Sequence, residues 1–414
     1  MKGEFKKMKT FNKMKRWACI SMAVLLFVTL TMVPASAIGT DSVENAIKAA
    51  LIEKICNNYA EYYTIPSISA EELSKQESTN VATYTIEVSL QRVLRADCAA
   101  DLPYIQGALT EALQLNVTRR NAVLNDLTHL IDEIDNEYID KKQSENGLYQ
   151  VTFSTRSNES MTGKLQNAVF SVVEMNGICF PIESLKPATP RELRESGKTY
   201  VRTYTEKSVI DSYKQEELSE REKVITNSMS SAAQDYDRVK ARDYIRQYCC
   251  NSGIAHTCPN RNTAYSYLSS DCANYVSQAI RFGGIETDSI WQPYTTAWAN
   301  VGAPYNPNLS GNSHQGVSKY MLENNYFFQT TNKMKAFAGS IVYWYGQHVG
   351  MVDQNDTVTM TYCAHNVCRK QAPFSSNWVY GFYGYYTSGT ESVGKVSFLV
   401  PTWDSYAGTW TNQN

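Results

Sequence analysis

The chain has 414 residues, of which 43% are hydrophobic and 19% charged, and its formal net charge is −2. One globular domain takes about 100–200 residues, so this length accommodates two, and the composition excludes a disordered, collagen-like or coiled-coil chain. No basic stripe runs through it, which argues against a nucleic-acid partner.

The near-neutral sum conceals three unlike regions. Residues 1–37 carry seven Lys/Arg against the single acid Glu4, residues 38–235 carry 20 basic and 30 acidic groups, and residues 236–414 carry 12 and 10. Eighteen of the 28 Tyr and six of the seven Trp lie from 236 onward. The boundary between domains is therefore expected near 235, with the binding surface on its C-terminal side.

The chain starts with a Lys-rich stretch, continues with an apolar run over 17–33 and reaches Pro34-Ala35-Ser36-Ala37. Such a basic region, apolar run and Ala-x-Ala end form the pattern of a secretory signal peptide, cut after Ala37. The run is slightly long for that, so an N-terminal membrane anchor is the alternative. The expectation is a secreted, extracellular and cell-wall-associated protein, with no stable membrane insertion after cleavage. Beyond Cys19 there are nine cysteines, Cys56, Cys98, Cys179, Cys249, Cys250, Cys258, Cys272, Cys363 and Cys368. An odd count outside the cell implies disulfides and at least one free thiol.

Residues 41–63 have helical spacing with Asp41 or Ser42 as N-cap. Residues 82–94 alternate as a strand, and 102–142 read as one or two helices. Strands are expected over 147–156, 167–182 and 199–206. Residues 38–206 thus read as an N-terminal α+β domain without a chemical constellation, and 207–235 as a polar helical linker. The C-terminal domain, 236–405, starts with a helix over 236–250. A second helix follows over 269–280, stopped by Gly283-Gly284, and a third near 313–325. Strands are expected over 339–352, 356–365, 378–386 and 395–400. The fold class is α+β, helices first and antiparallel sheet after.

Cys272 falls in the first turn of the second helix. Unpaired backbone N–H groups there favour an anion and lower a thiol pKa. A thiolate is the nucleophile of a cysteine hydrolase. His348, in a strand between Gly346 and Gly350, suits the general base, and a third group must orient its ring. If 339–352 and 357–365 form a hairpin turning near Asn355-Asp356, His348 stands opposite Cys363 or His365. His365 then shares its face and ranks first, Asn366 second and Asp353 third; a β-bulge overturns the order. Asp271 and Asn274 flank the thiol. Trp291, Trp298 and Trp344, with Tyr294, are candidates to line a cleft, with core packing as the alternative for each. The run Cys363-Ala364-His365-Asn366-Val367-Cys368 could be a metal clip, with Cys258 and His256 completing it. The spacing matches no standard zinc pattern, so disulfides among Cys249, Cys250, Cys258, Cys363 and Cys368 are expected instead, with no metal and no cofactor.

The stretch from Asn262 through Tyr265, Asp271-Cys272-Ala273-Asn274-Tyr275-Val276-Ser277-Gln278 to Gly283-Gly284 resembles the putative amidase domain family of Gram-positive bacteria. Ala273 and Tyr275 stand where Thr and Phe are usual. The family's histidine strand is matched by Gln347-His348-Val349-Gly350 and its next strand by Ala364-His365-Asn366. The resemblance covers about 236–386. It implies a papain-like cysteine hydrolase related to cell-wall peptidases, with Cys272 as nucleophile, His348 as base and His365 as orienting group. The oxyanion would face the Cys272 N–H and a donor such as Tyr265. A peptidoglycan stem peptide is the expected substrate, with acyl transfer to an amine open to the same residues. The rival is a non-catalytic, disulfide-braced binding or adhesion protein of the cell surface.

Overall fold

The computed structural model describes residues 40–155, 159–217, 236–252, 257–301, 316–344, 348–380, 395–404 and 409–410. Two units are distinguished, Met1–Ala46 and Ile47–Asn414. The signal-like segment 1–37 and Tyr345, Gly346, Gln347 and His256 lie outside the described residues. No helix among the described residues is long and apolar enough to cross a membrane.

Helix α1 (Thr40–Tyr59) buries Ile47, Leu51, Ile55 and Tyr59, one apolar residue per turn. Strands β1 (Tyr63–Glu77) and β2 (Val81–Leu94) follow, then helices α2 (Pro103–Ala112) and α3 (Val117–Glu137). Asn116 caps α3 by accepting from Arg119 N. Next come β3 (Gln143–Ser154), α4 (Met161–Gln166), β4 (Val169–Val173), β5 (Cys179–Pro181) and α5 (Pro190–Glu217). The five strands make an antiparallel sheet in chain order. β2 buries every second side chain, as its alternation predicts.

The expected strand over 199–206 is helix in α5. Its alternation is outweighed by a capping box at the start. Thr189 Oγ1 accepts from Glu192 N at 3.3 Å, while Glu192 Oε2 accepts from Thr189 N at 2.8 Å.

From Tyr236 onward the order is α6 (Arg238–Gln247), α7 (Cys272–Phe282), α8 (Thr296–Ala299), α9 (Val317–Glu323), β6 (Phe327–Thr330), β7 (Ile341–Trp344), β8 (His348–Asn355), β9 (Met360–Ala364), β10 (Arg369–Pro373), β11 (Val379–Tyr380), β12 (Lys395–Pro401), β13 (Trp403–Asp404) and β14 (Thr409–Trp410). The second sheet runs β10-β9-β8-β7-β12-β11, and β6 also pairs with β12. All its pairs are antiparallel except β11 with β12. One face packs on α6 and α7 through Val349, Met351, Cys363 and Ile341. The other buries Trp344, Val352, Tyr362, Phe374 and Trp378. The chain is mixed α and β with antiparallel sheets.

Polar groups join these two regions. Arg238 is 1% exposed, and its guanidinium donates to both oxygens of Glu133 at 3.0 and 2.9 Å. Tyr63 donates to Asp356 Oδ2 at 2.7 Å. Glu174 accepts from Ser375 N at 2.6 Å and from Trp378 Nε1 at 2.7 Å. A buried pair broken on one side leaves a charge without compensation. Glu133→Ala is expected to destabilise the fold by about 3–5 kcal/mol, read from urea midpoints; a loss near zero would show the pair is dispensable.

Burial pushes the Glu174 carboxyl up to about 7, against the pull of Trp378, Ser375 and Arg369. The folded state then holds a proton that the unfolded chain has released from about pH 4.5 upward. Stability from this group is present below that pH and is lost as pH rises toward 7. The urea midpoint of the wild type is expected to fall relative to Glu174→Gln between pH 4.5 and 7.5. A constant gap across that range would contradict the assignment.

Candidate active site

α7 starts at Cys272 and stops at Gly283, whose N–H bonds to Ala279 O; Gly284 then takes φ +115°. Asp271 is the N-cap residue, yet its side chain makes no capping bond. Its carboxylate instead accepts from Asn274 Nδ2 at 2.7 Å and from His365 Nδ1 at 2.7 Å. His365 Nε2 donates to Tyr248 O at 2.6 Å. The His365 ring lies flat on Tyr275, 3.7 Å between centroids and 7° between planes. Asn274 accepts from Trp298 Nε1. A continuous chain thus runs from Trp298 through Asn274, Asp271 and His365 to the Tyr248 carbonyl.

Burial works against a charge on His365, and the Asp271 carboxylate, with the Cys258 sulfur as thiolate beside the ring, overcomes it, raising the imidazole to about 9. His365 is therefore a cation at neutral pH, which is why both nitrogens donate. The ring that sequence reasoning placed beside His348 is instead bonded to the residue preceding Cys272.

Cys272 is 2% exposed and sits in the cluster with Val349, Met351 and Cys363. Burial pushes its thiol up, although the backbone at Val349 and Ala273 favours the thiolate. The expected lowering at a helix N-terminus is corrected: desolvation outweighs the dipole here.

His348 is 1% exposed and stands opposite Trp344, ring centroids 5.8 Å apart. Cross-strand partners share a face, and the Trp344 face is the one turned away from α7. His348 and Cys272 therefore occupy opposite sides of the sheet. Burial, then the charges of His365 and Arg369, hold the His348 imidazole down at about 3. Its Nε2 has no hydrogen-bond partner among the described residues.

Two local features account for the difference from the expected pairing. The single strand read over 339–352 is two antiparallel strands, β7 and β8, on either side of 345–347. A bulge between Val352 and Gln354 also shifts the ladder, so that Met351 stands opposite Cys363. Continued, that ladder puts His365 on the face of Val349. Asn366 sits in the following turn at φ 79°. Asp353 is the bulged residue and is held by Arg246, Thr361 Oγ1 at 3.2 Å and Gln371 Nε2 at 3.3 Å.

The aromatic cleft is corrected as well. Trp291 and Trp298 are each 0% exposed, 4.9 Å apart between ring centroids, and belong to the core beneath α7. Trp344 packs on the opposite sheet face with Tyr362 and Trp378. Their large apolar area outweighs a place at the surface. Tyr265 is half-buried, its ring 6.0 Å from that of Trp298. Exposed Tyr294 donates to Ser266 Oγ at 3.0 Å.

None of the disulfides expected among Cys249, Cys250, Cys258, Cys363 and Cys368 is formed: all five are free cysteines, as is Cys272. Cys363 Sγ accepts from Gln371 N at 3.3 Å. Cys368 Sγ lies instead with those of Cys250 and Cys258. Sequence reasoning put Cys258 and Cys368 in one candidate clip but with Cys363 and His256, and missed Cys250 and the part of Tyr248. The adjacent Cys249-Cys250 pair was the available signal.

A family model described as "Putative amidase domain" matches residues 235–386. The match supports amide hydrolysis as the general chemistry of this region. An uncharacterized protein of Bacillus subtilis, YjcM, is 36% identical over 74 residues, 18% of this chain and 16% of its own length. The similarity thus spans about a sixth of that relative. No solved structure matches the chain.

Removing the Asp271 carboxylate leaves a nearly buried imidazolium and the Asn274 amide without their acceptor. Asp271→Ala is expected to cost about 3 kcal/mol of stability, and Asp271→Asn less, measured by urea unfolding. Equal stability of all three proteins would show that the chain from Trp298 to Tyr248 has no structural weight.

Proposed function

We propose that residues 235–386 hydrolyse amide bonds with Cys272 as nucleophile. The observation that carries this reading is the position of the thiol. It opens α7, meets the backbone of Val349 and Ala273, and follows the Asp271 carboxylate that holds the His365 cation. Backbone dipoles at Val349 and at the start of α7 favour a thiolate once solvent or substrate relieves its burial, against the repulsion of the Asp271 carboxylate.

His348 is the base in this reading. It is a neutral imidazole with an uncommitted Nε2, and it precedes the residue whose backbone meets the thiol. Because its ring packs against Trp344 on the other sheet face, the start of β8 must rearrange so that the imidazole leaves Trp344 and reaches Cys272. Once that movement and the entering substrate relieve the burial that holds its imidazole down and the thiol up, His348 takes the thiol proton as sulfur attacks the carbonyl carbon. The oxyanion is held by the Cys272 N–H and Tyr265. The C–N bond breaks as His348 returns its proton to the leaving amine, and water hydrolyses the thioester. His365 takes a different part from the one its resemblance implies: paired with Asp271, it fixes the carboxylate ahead of Cys272 rather than orienting His348.

The papain-like order of cysteine helix before histidine strand supports this assignment. The signal-like segment 1–37 supports export, and an exported amidase of a Gram-positive cell meets peptidoglycan stem peptides. That polymer is the substrate we propose. The full chain is expected to release new amines from purified cell walls and clear their turbidity. Cys272→Ala should lower amine release by about 10³-fold or more, and His348→Ala by about 10²–10⁴-fold. Undiminished release from Cys272→Ala would overturn the nucleophile, and from His348→Ala the base. The buried, raised thiol of Cys272 is the observation favouring a non-catalytic binding protein. That reading prevails if Cys272 resists alkylation in the native chain and walls bind without losing amide bonds.

A further inference from the structure

Three sulfurs converge behind the His365 turn. The Sγ atoms of Cys250, Cys258 and Cys368 all lie within 4.8 Å of one another. Cys258 and Cys368 are 4% and 0% exposed, and Cys250 is half-buried. The three come from separate places: Cys250 follows α6, Cys258 is in the loop toward α7, and Cys368 precedes β10.

We propose that Cys250, Cys258 and Cys368 bind one thiophilic divalent cation of the zinc class. Thiolates around such an ion stand about 2.3 Å from it, hence roughly 3.8 Å from each other in a tetrahedron. The observed spacing meets that with small adjustments. A disulfide would take two of the sulfurs and leave the third buried beside it, whereas one ion uses all three. Three thiols supply three corners and release up to three protons on binding, so the complex carries one negative charge. The fourth corner falls to solvent. The Cys249 thiol, beside Cys368, has Ala364 O at 3.3 Å and Arg369 O at 3.2 Å as alternative acceptors, and His365, beside Cys258, donates to Asp271 and to Tyr248 O.

The surroundings fit a metal's outer shell. Cys258 Sγ lies 3.9 Å from Tyr248 O, the carbonyl that also accepts from His365. An ion here would clamp the end of α6 to the β9–β10 turn and so hold His365 against Asp271. The site stands apart from Cys272 and does not depend on the amidase reading.

The test uses the full chain, reduced and stripped of metal, titrated with Co²⁺ as the probe. One equivalent is expected to give sulfur-to-metal charge-transfer absorption and tetrahedral d–d bands, both bleached by Zn²⁺. Cys258→Ser and Cys368→Ser should each weaken Co²⁺ binding at least tenfold, while Cys272→Ala and Cys179→Ser bind as the wild type does. Should the serine variants fail to fold, the wild type alone decides. One Co²⁺ with charge-transfer bands, and Zn²⁺ shielding of Cys250, Cys258 and Cys368 from alkylation, support the site. Absent charge-transfer bands, unchanged labelling with Zn²⁺, or a mapped disulfide among the three in a chain that takes up no metal would overturn it. Loss of wall hydrolysis in Cys272→Ala with Co²⁺ binding intact separates the two assignments.

Discussion

The Asp271 carboxylate is the point on which the arrangement around Cys272 depends. It stands at the start of α7, where partial positive charge collects, yet spends its oxygens on side chains rather than on capping. One oxygen orders Asn274 and through it Trp298, deep in the core. The other keeps His365 charged and pinned to the Tyr248 carbonyl. A single carboxylate therefore locks α7, the β9–β10 turn and the end of α6 together. Cys272, next in the chain, inherits its position from that lock.

The lock acts within a wider frame. Arg238, at the first position of α6, is tied to Glu133 of α3, and Glu174 reaches Ser375 and Trp378 beyond β10. The elements that position the thiol thus rest on the N-terminal strands and helices. Such buried ionic contacts are costly to desolvate and costlier to break singly, which makes their geometry strict. The acidic balance of 38–235 finds part of its explanation here, since Glu133, Glu137 and Glu174 face partners from beyond residue 236.

The local elements were largely legible. Cys272 at a helix start, Gly283-Gly284 at its end and the alternation of β2 follow from capping chemistry and periodicity, which act over a few residues. The histidine pairing was not. A one-residue bulge at Asp353 changes which face His365 occupies, and the division into β7 and β8 turns His348 toward Trp344. Alternation does not reveal either, because both faces of β7 and β8 are buried throughout. The same ambiguity hid Trp291 and Trp298, whose aromatic character suits a cleft and a core alike.

The sequence by itself determined the α+β class, the helix that begins with Cys272 and the region that carries the amidase match. Each rests on near-neighbour spacing. The tertiary structure alone decided that Asp271 rather than His348 holds His365, that Cys272 is buried, and that Cys368 joins Cys250 and Cys258. Those partners are about 90–120 residues apart in the chain. Only the register of the sheet and the packing of α6 and α7 against it bring them within bonding distance.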